Sequence, residues 1–238
     1  MATELVDATK LDACCTAEAN AIRAKTGSSA QIAYDWANSK GFADAIAAIS
    51  GGGSSGILTF DFTQSLYDQE TGTFGFVLSN ATQNSSGLHL GASNAYASLS
   101  NINLYDHVIE VYVDTTDKQF GNNHGRFIMS EYDSGLICRS GSSWEVYTGN
   151  AWAAPATPIT DLDYFENSII RIEYPSSGQN VAIYKNDTQI FASVQFGSAN
   201  FYKQLWLGSN GTAYYNATIT KCVIYTNDAY ALKVLLGG

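Results

Sequence analysis

The stretch GSSWEVYTGNAWAAP, residues 141–155, sets Trp144, Tyr147 and Trp152 among small and polar residues. An exposed aromatic ring offers a flat apolar surface that stacks on the C–H face of a sugar, while nearby Asn and Asp can take the hydroxyls. Trp206, in QLWLG, is a fourth candidate; it alternates with Leu205 and Leu207 and so belongs to the opposite face of its strand. The competing use for each ring is core packing. Trp144 alternates with Val146, so one of Trp144 and Glu145 faces out. Trp152 follows Asn150 and precedes Pro155 in a segment without alternation. That reads as a loop, and makes Trp152 the best single candidate, with Tyr147 flanking it across the same hairpin.

Acid–base chemistry has weaker support. Glu110 and Asp114 share one face of one strand, but four residues of strand hold them about 13 Å apart. A retaining glycosidase needs two carboxylates about 5–5.5 Å apart. Glu131 and Asp133 fall in SEYDSG, and Asp161 and Asp163 in TDLDY; both stretches read as turns. The histidines are His89, His107 and His124, and no G-x-S-x-G elbow accompanies them. No phosphate-cradling glycine pattern is present. The expectation is no catalytic residue and no enzyme.

For metals, DTTDKQFGNN supplies Asp114, Asp117, Asn122 and Asn123, oxygen donors of the kind calcium takes. Solvated loop residues explain them equally well, so no metal ligand is assigned and calcium stays an open cofactor. Cys14, Cys15, Cys138 and Cys222 lack metal spacing and read as buried free thiols.

Composition narrows the partners. A net charge of −10 repels nucleic-acid phosphates and anionic lipid, so neither nucleic acid nor membrane is an expected partner. The N-terminus, MATELVDATKLDACC, lacks a basic start followed by an apolar run, so no secretory signal is expected. The 15 Tyr residues suit either a binding surface or a core with wet hydroxyls.

The elements that must position these residues fall into two regions around SGGGSSG. Residues 50–56 form a Gly/Ser linker. Before it, residues 1–49 read as a short helical module. LDACCTAEANAIRAK spaces Leu11, Cys15, Ala19 and Ile22 helically, and GFADAIAAI sets Phe42, Ile46 and Ile49 on one face. Two such short helices cannot bury a core alone, so their stripes need a partner. After the linker, residues 57–238 turn to period two in ILTFDF, HVIEVYVD, IIRIEY and VAIY, with Gly/Asn/Asp/Ser turns between. About a dozen short strands of this kind predict a mainly β antiparallel jelly-roll sandwich. LWLGSNGTAYYNATITKCVIYTND closes the domain with two strands, either as a hairpin or as sequential sandwich strands.

SSGLHLGASNAYASLSNINLYDHVIEVYVD, VAIYKNDTQIF and that closing pair resemble laminin-G-like, concanavalin-A-like sandwiches. The likeness implies a lectin-like fold and puts Cys222 in the core. Val223 takes a position that in such domains is often a surface Arg. A-x-A-I-R-x-K-T-G, from Ala19 to Gly27, is similar to a module that opens phage and prophage structural proteins. That resemblance implies a virion protein assembled in a bacterial cytoplasm: a tail fibre or baseplate receptor-binding component whose sandwich binds host-surface glycan. A head-fibre or capsid-decoration role, or a glycan-active enzyme on the same fold, is the alternative. Residues 1–49 would then contact other virion proteins and form a homo-oligomer, a trimer by preference.

Overall fold

The computed structural model describes residues 56–91, 93–120, 124–131, 134–140, 143–148, 151–161, 163–175, 180–195, 204–208 and 215–235. The chain divides into two units, Met1–Ser55 and Gly56–Gly238, and the described residues all belong to the second. The expected helical module over 1–49, with Cys14 and Cys15, lies outside them.

The described domain is an antiparallel β-sandwich. Its strands, in chain order, are β1 (Ile57–Asp61), β2 (Val77–Ser79), β3 (Thr82–Asn84), β4 (Gly87–His89), β5 (Tyr96–Ser100), β6 (His107–Phe120), β7 (His124–Glu131) and β8 (Ser134–Ser140). There follow β9 (Ser143–Tyr147), β10 (Trp152–Ala153), β11 (Ser168–Glu173), β12 (Asn180–Lys185), β13 (Thr188–Gln195), β14 (Gln204–Gly208) and β15 (Tyr215–Thr226). A helix, α1 (Asn227–Leu235), ends the described chain. One sheet has eight strands in the order β13-β12-β11-β6-β15-β4-β3, with β1 also paired to β15. The other has seven, in the order β10-β9-β8-β7-β14-β5-β2. β14 and β15 therefore go to opposite sheets, which settles the closing pair as sequential sandwich strands.

Local chemistry explains the turns. Asn186 and Asp187 both take positive φ, 44° and 65°, as a two-residue turn of the right hand for a twisted hairpin requires. Lys185 and Thr188 pair across it. Gly208 ends β14 at φ 86°, where a Cβ would collide with the Ala95 carbonyl oxygen.

Between the sheets the inward residues form one core. Phe60, Phe62 and Phe76 meet edge-to-face at one place, with centroids 4.9 and 5.3 Å apart. At another, Trp144 packs edge-on against Phe165 and Tyr215, at 4.9 and 4.7 Å. Cys222 is fully buried in this core, and burial pushes its thiol pKa well up, with the Glu110 charge adding to the effect.

The two sheets treat their outer faces differently. On the eight-stranded sheet, α1 folds back over Val108, Val223 and Tyr225. Val223 is thus covered by the helix rather than exposed. Thr226 caps the helix, its Oγ1 accepting from the Ala229 N–H at 3.3 Å. Asp228 sits in the first turn and Lys233 in the last, each at the favourable end of the helix dipole. Beneath the helix Glu110 is buried. Its carboxylate accepts from the Tyr112 hydroxyl at 2.9 Å, the Tyr225 hydroxyl at 3.2 Å and the Lys233 ammonium at 2.6 Å. Burial, and then the Glu110 charge, push both tyrosine hydroxyls to higher pKa.

Candidate functional site

The outer face of the seven-stranded sheet has no helix over it among the described residues. β9, β5 and most of β14 alternate, whereas β7 buries Phe127, Ile128 and Met129 in succession. β9 buries Trp144 and Val146 and turns Ser143, Glu145 and Tyr147 outward. β14 buries Leu205 and Leu207 and turns Gln204 and Trp206 outward. β5 turns out Tyr96, Ser98 and Ser100.

Register lines these residues up. Trp152 pairs with Tyr147, Tyr147 with Gly135, Gly135 with Met129, Met129 with Trp206, Trp206 with Ser98, and Ser98 with Val77. One row therefore crosses the whole sheet at right angles to the strands. Trp152, Tyr147 and Trp206 stand on it, and Tyr96, the next outward residue of β5, lies beside it. Tyr147 and Trp152 meet at 4.8 Å with their planes tilted 44°. Trp206 lies flat on Tyr96 at 4.6 Å and 6°. Glycine at 208, opposite Tyr96 in the ladder, places no side chain beside that stack.

Each pair is held in place. Thr148 locks the turn before Trp152: its N–H donates to the Ala151 carbonyl at 2.9 Å, and its Oγ1 accepts from the Ala151 N–H at 3.2 Å. The Trp206 indole N–H donates to the Gln204 side-chain oxygen at 2.9 Å, which orients the ring along its own strand. Trp152 is 43% exposed and Val77 68%. Among the described side chains of this face, Glu145 is the one carboxylate, and it accepts from the Ser143 hydroxyl at 2.9 Å. The face therefore offers flat apolar rings beside small hydroxyl and amide groups, with Arg126 in the same cross-strand row as Glu145.

Of the four rings singled out in the sequence, the structure brings Tyr147 and Trp152 together and places Trp206 on the same face. Trp152 lies in the short strand β10 rather than a loop. Trp144 has to be withdrawn. It is 0% exposed, and its indole N–H donates to the Asp161 carbonyl at 2.9 Å inside the core. The register of β9 gives the outward place to Glu145. Tyr96 was missed; its partner Trp206 lies more than a hundred residues away, and only the alternation Tyr96/Ser98/Ser100 hinted at an outward ring.

Of the remaining candidates, Asp161, Asp163 and His89 make local contacts, while the side chains of Glu131, Asp133, His124 and Cys138 lie outside the described set. Asp161 Oδ1 accepts from the Asp163 N–H at 3.1 Å, and Asp163 from the Thr116 hydroxyl at 2.9 Å, as turn residues do. His89 contacts Thr218 and Asn84 on the outer face of the eight-stranded sheet. No group of three or more His, Cys, Asp or Glu side chains gathers for a metal ion among the described residues. Asp114 is exposed, and the side chains of Asp117, Asn122 and Asn123, the other possible calcium donors, lie outside that set. No described helix is long and apolar enough to cross a membrane.

No family model matches the chain, and no curated protein sequence matches it. Among solved structures it is similar to Trypanosoma rangeli sialidase in complex with sialic acid, at 14% identity and a TM-score of 0.49. That match covers 75% of this chain but only 32% of the sialidase. Domain 4 of AbnA, a GH43 extracellular arabinanase from Geobacillus stearothermophilus, in complex with arabinotriose, matches at 13% identity and a TM-score of 0.45. There 72% of this chain covers 96% of the domain. The carbohydrate-binding module CBM66 from Bacillus subtilis matches at 14% identity and a TM-score of 0.40, with 62% of this chain covering 94% of the module. Each is a likeness of fold at low identity.

Proposed function

We propose that the seven-stranded face binds a glycan without cleaving it, as part of a phage virion structural protein. The observation that carries the binding reading is the pair of aromatic platforms on one face: Trp152 with Tyr147, and Trp206 with Tyr96. Rigid rings recover apolar contact at little cost in side-chain entropy. Seryl and amide groups around them, Ser98, Ser100, Ser143 and Gln204, suit sugar hydroxyls. The non-enzymatic reading is supported by the place of Glu110, one of the strand carboxylates weighed for acid–base chemistry: it is buried beneath α1 on the other sheet and engaged by Tyr112, Tyr225 and Lys233.

The virion reading is supported by the A-x-A-I-R-x-K-T-G pattern from Ala19 to Gly27 and the Gly/Ser linker after it. In this reading residues 1–49 attach the chain to the particle and join copies into an oligomer, and the sandwich is the host-contacting tip of a tail fibre or baseplate. The test is adsorption of the purified full chain to host cells and to a glycan array, followed by mass analysis of the retained sugars. Retention of intact glycan, lost in a Trp152→Ala/Trp206→Ala variant that keeps its circular dichroism, supports the proposal. Cleaved sugars move it to a glycan-active enzyme. Failure to retain any glycan moves it to a capsid or head-fibre decoration, which the position of the chain in a virion map would show.

A further inference from the structure

The two aromatic pairs share one face but stand well apart. Tyr147 on β9 and Trp206 on β14 are separated by β8 and β7. Three strand spacings put them ~14 Å from each other. Between them the row holds Gly135 and then Met129. Gly135 contributes no side chain, and Met129, turned to this face by its pairing with Trp206, is 1% exposed beneath neighbouring side chains, which a spanning ligand would cross. A glycine inside a strand weakens it, and marks a bulge or a place where something must approach the backbone closely. No single sugar ring reaches both platforms.

Resting on the carbohydrate reading above, we infer that this face takes an internal stretch of a linear, uncharged glycan lying across the strands. One ring sits on Trp152 and Tyr147, another on Trp206 and Tyr96, and the sugars between pass over Gly135. The charge of the chain selects against the alternatives. At −10 it repels polyanionic polysaccharides, and it repels single-stranded nucleic acid, which otherwise stacks on such rings. Once one ring is docked the second contact is intramolecular. Affinity therefore climbs with chain length until the ligand spans both platforms, and then levels off.

The experiment uses the full chain on an array of linear neutral oligosaccharides, in gluco-, xylo-, manno- and N-acetylglucosamine series, graded from single rings to long oligomers. The expected result is retention that rises sharply at the length crossing ~14 Å, three strand spacings. Trp152→Ala should weaken the long chains by ~tenfold, the loss of one stacking platform, and flatten the length dependence. Gly135→Leu should do the same by filling the floor, judged only if its circular dichroism is native; Trp152→Ala decides the matter if it is not. Equal retention of single rings and long chains overturns the spanning arrangement while leaving glycan binding in place. Long-chain retention unchanged by Trp152→Ala overturns it as well. No retention of any glycan overturns the spanning arrangement and the carbohydrate reading together.

Discussion

The outer faces of the two sheets start from the same kind of strand and end differently. On the eight-stranded sheet, β15 buries Cys222, Val223, Ile224 and Tyr225 in succession, because core covers one face and α1 the other. On the seven-stranded sheet, β9 and residues 204–207 of β14 alternate, and among the described residues only β7, midway across, buries Phe127, Ile128 and Met129 in succession. A strand covered on both sides loses its alternation, while a strand open on one side keeps it. Aromatic rings also serve differently on the two faces. Tyr112 and Tyr225 spend their hydroxyls on a buried carboxylate, and Arg171 lies 4.0 Å over the Tyr184 ring. Trp152 stands against Tyr147 and Trp206 against Tyr96, and Trp152 leaves ring surface toward solvent. The first arrangement holds a helix down. The second leaves a surface for something else.

Among residues of the two outer faces, the largest expected effect therefore lies on the sealed one. Glu110→Ala removes the acceptor of two hydroxyls and of the Lys233 ammonium beneath α1. Breaking a buried ion pair from one side costs 3–5 kcal/mol, and Lys233 is partly exposed, so the lower end applies: ~3 kcal/mol. Urea denaturation measures it. A loss under ~1 kcal/mol, typical of surface pairs, would mean that the helix is not held by this network.

Cys222→Ser comes next. It puts a hydroxyl on the core side of β15, the strand paired with that of Glu110, where an unpaired polar group costs roughly 1–3 kcal/mol. Equal melting temperatures for variant and wild type would remove Cys222 from the core.

A smaller effect, with a pH signature, comes from Asp68, which ties the loop at 67–72 to β1. Burial alone would raise its carboxyl pKa. The Thr71 N–H and hydroxyl, with the N–H groups of Glu70 and Thr59, outweigh that and hold it below the ordinary carboxylate value. A lowered folded pKa gives stability that is present above the unfolded value, about 3.9, and lost as pH falls through the folded one. Asp68→Asn should cost ~1 kcal/mol at neutral pH, and the gap to wild type should close on acidification below that range. Thermal melts across pH check it; a gap that stays constant to low pH would show that the charged form is not what matters.

Much of the fold was readable because it depends on local alternation. β6, β9, β11 and β14 follow their period-two patterns, and the Asn186–Asp187 turn carries its own chemistry. What escaped depends on pairings distant in sequence. Glu110 alternates as an outward residue and does point outward; nothing in HVIEVYVD says that a helix more than a hundred residues later will bury it. That helix, NDAYALKVL, buries none of its own residues fully and so lacks a strong apolar stripe to announce it. Trp144 and Trp152 share one hairpin and one composition. Which of them is core was fixed by the register of β9 against β8 and β10. Tyr96 became part of a platform only through the pairing of β5 with β14.

The smallest stability effect, and the clearest functional one, is expected at Trp152. The ring is 43% exposed, paired with Tyr147 in a two-residue strand at the sheet edge. Truncating it leaves the Thr148 turn and the β9 core residues in place, so Trp152→Ala should change unfolding free energy by no more than ~1 kcal/mol. Trp144→Ala, a few residues earlier, should cost ~3–5 kcal/mol, because it empties a space enclosed by Phe127, Phe165 and Tyr215. Glycan retention should follow the opposite order once stability is accounted for. Trp152→Ala loses binding while fully folded. A Trp144 variant mild enough to stay folded, such as Trp144→Phe, keeps it. If Trp152→Ala unfolds the sandwich as readily as Trp144→Ala, the ring is structural and the open face is no binding surface. If it folds and binds as wild type does, the contrast between the two outer faces concerns packing alone.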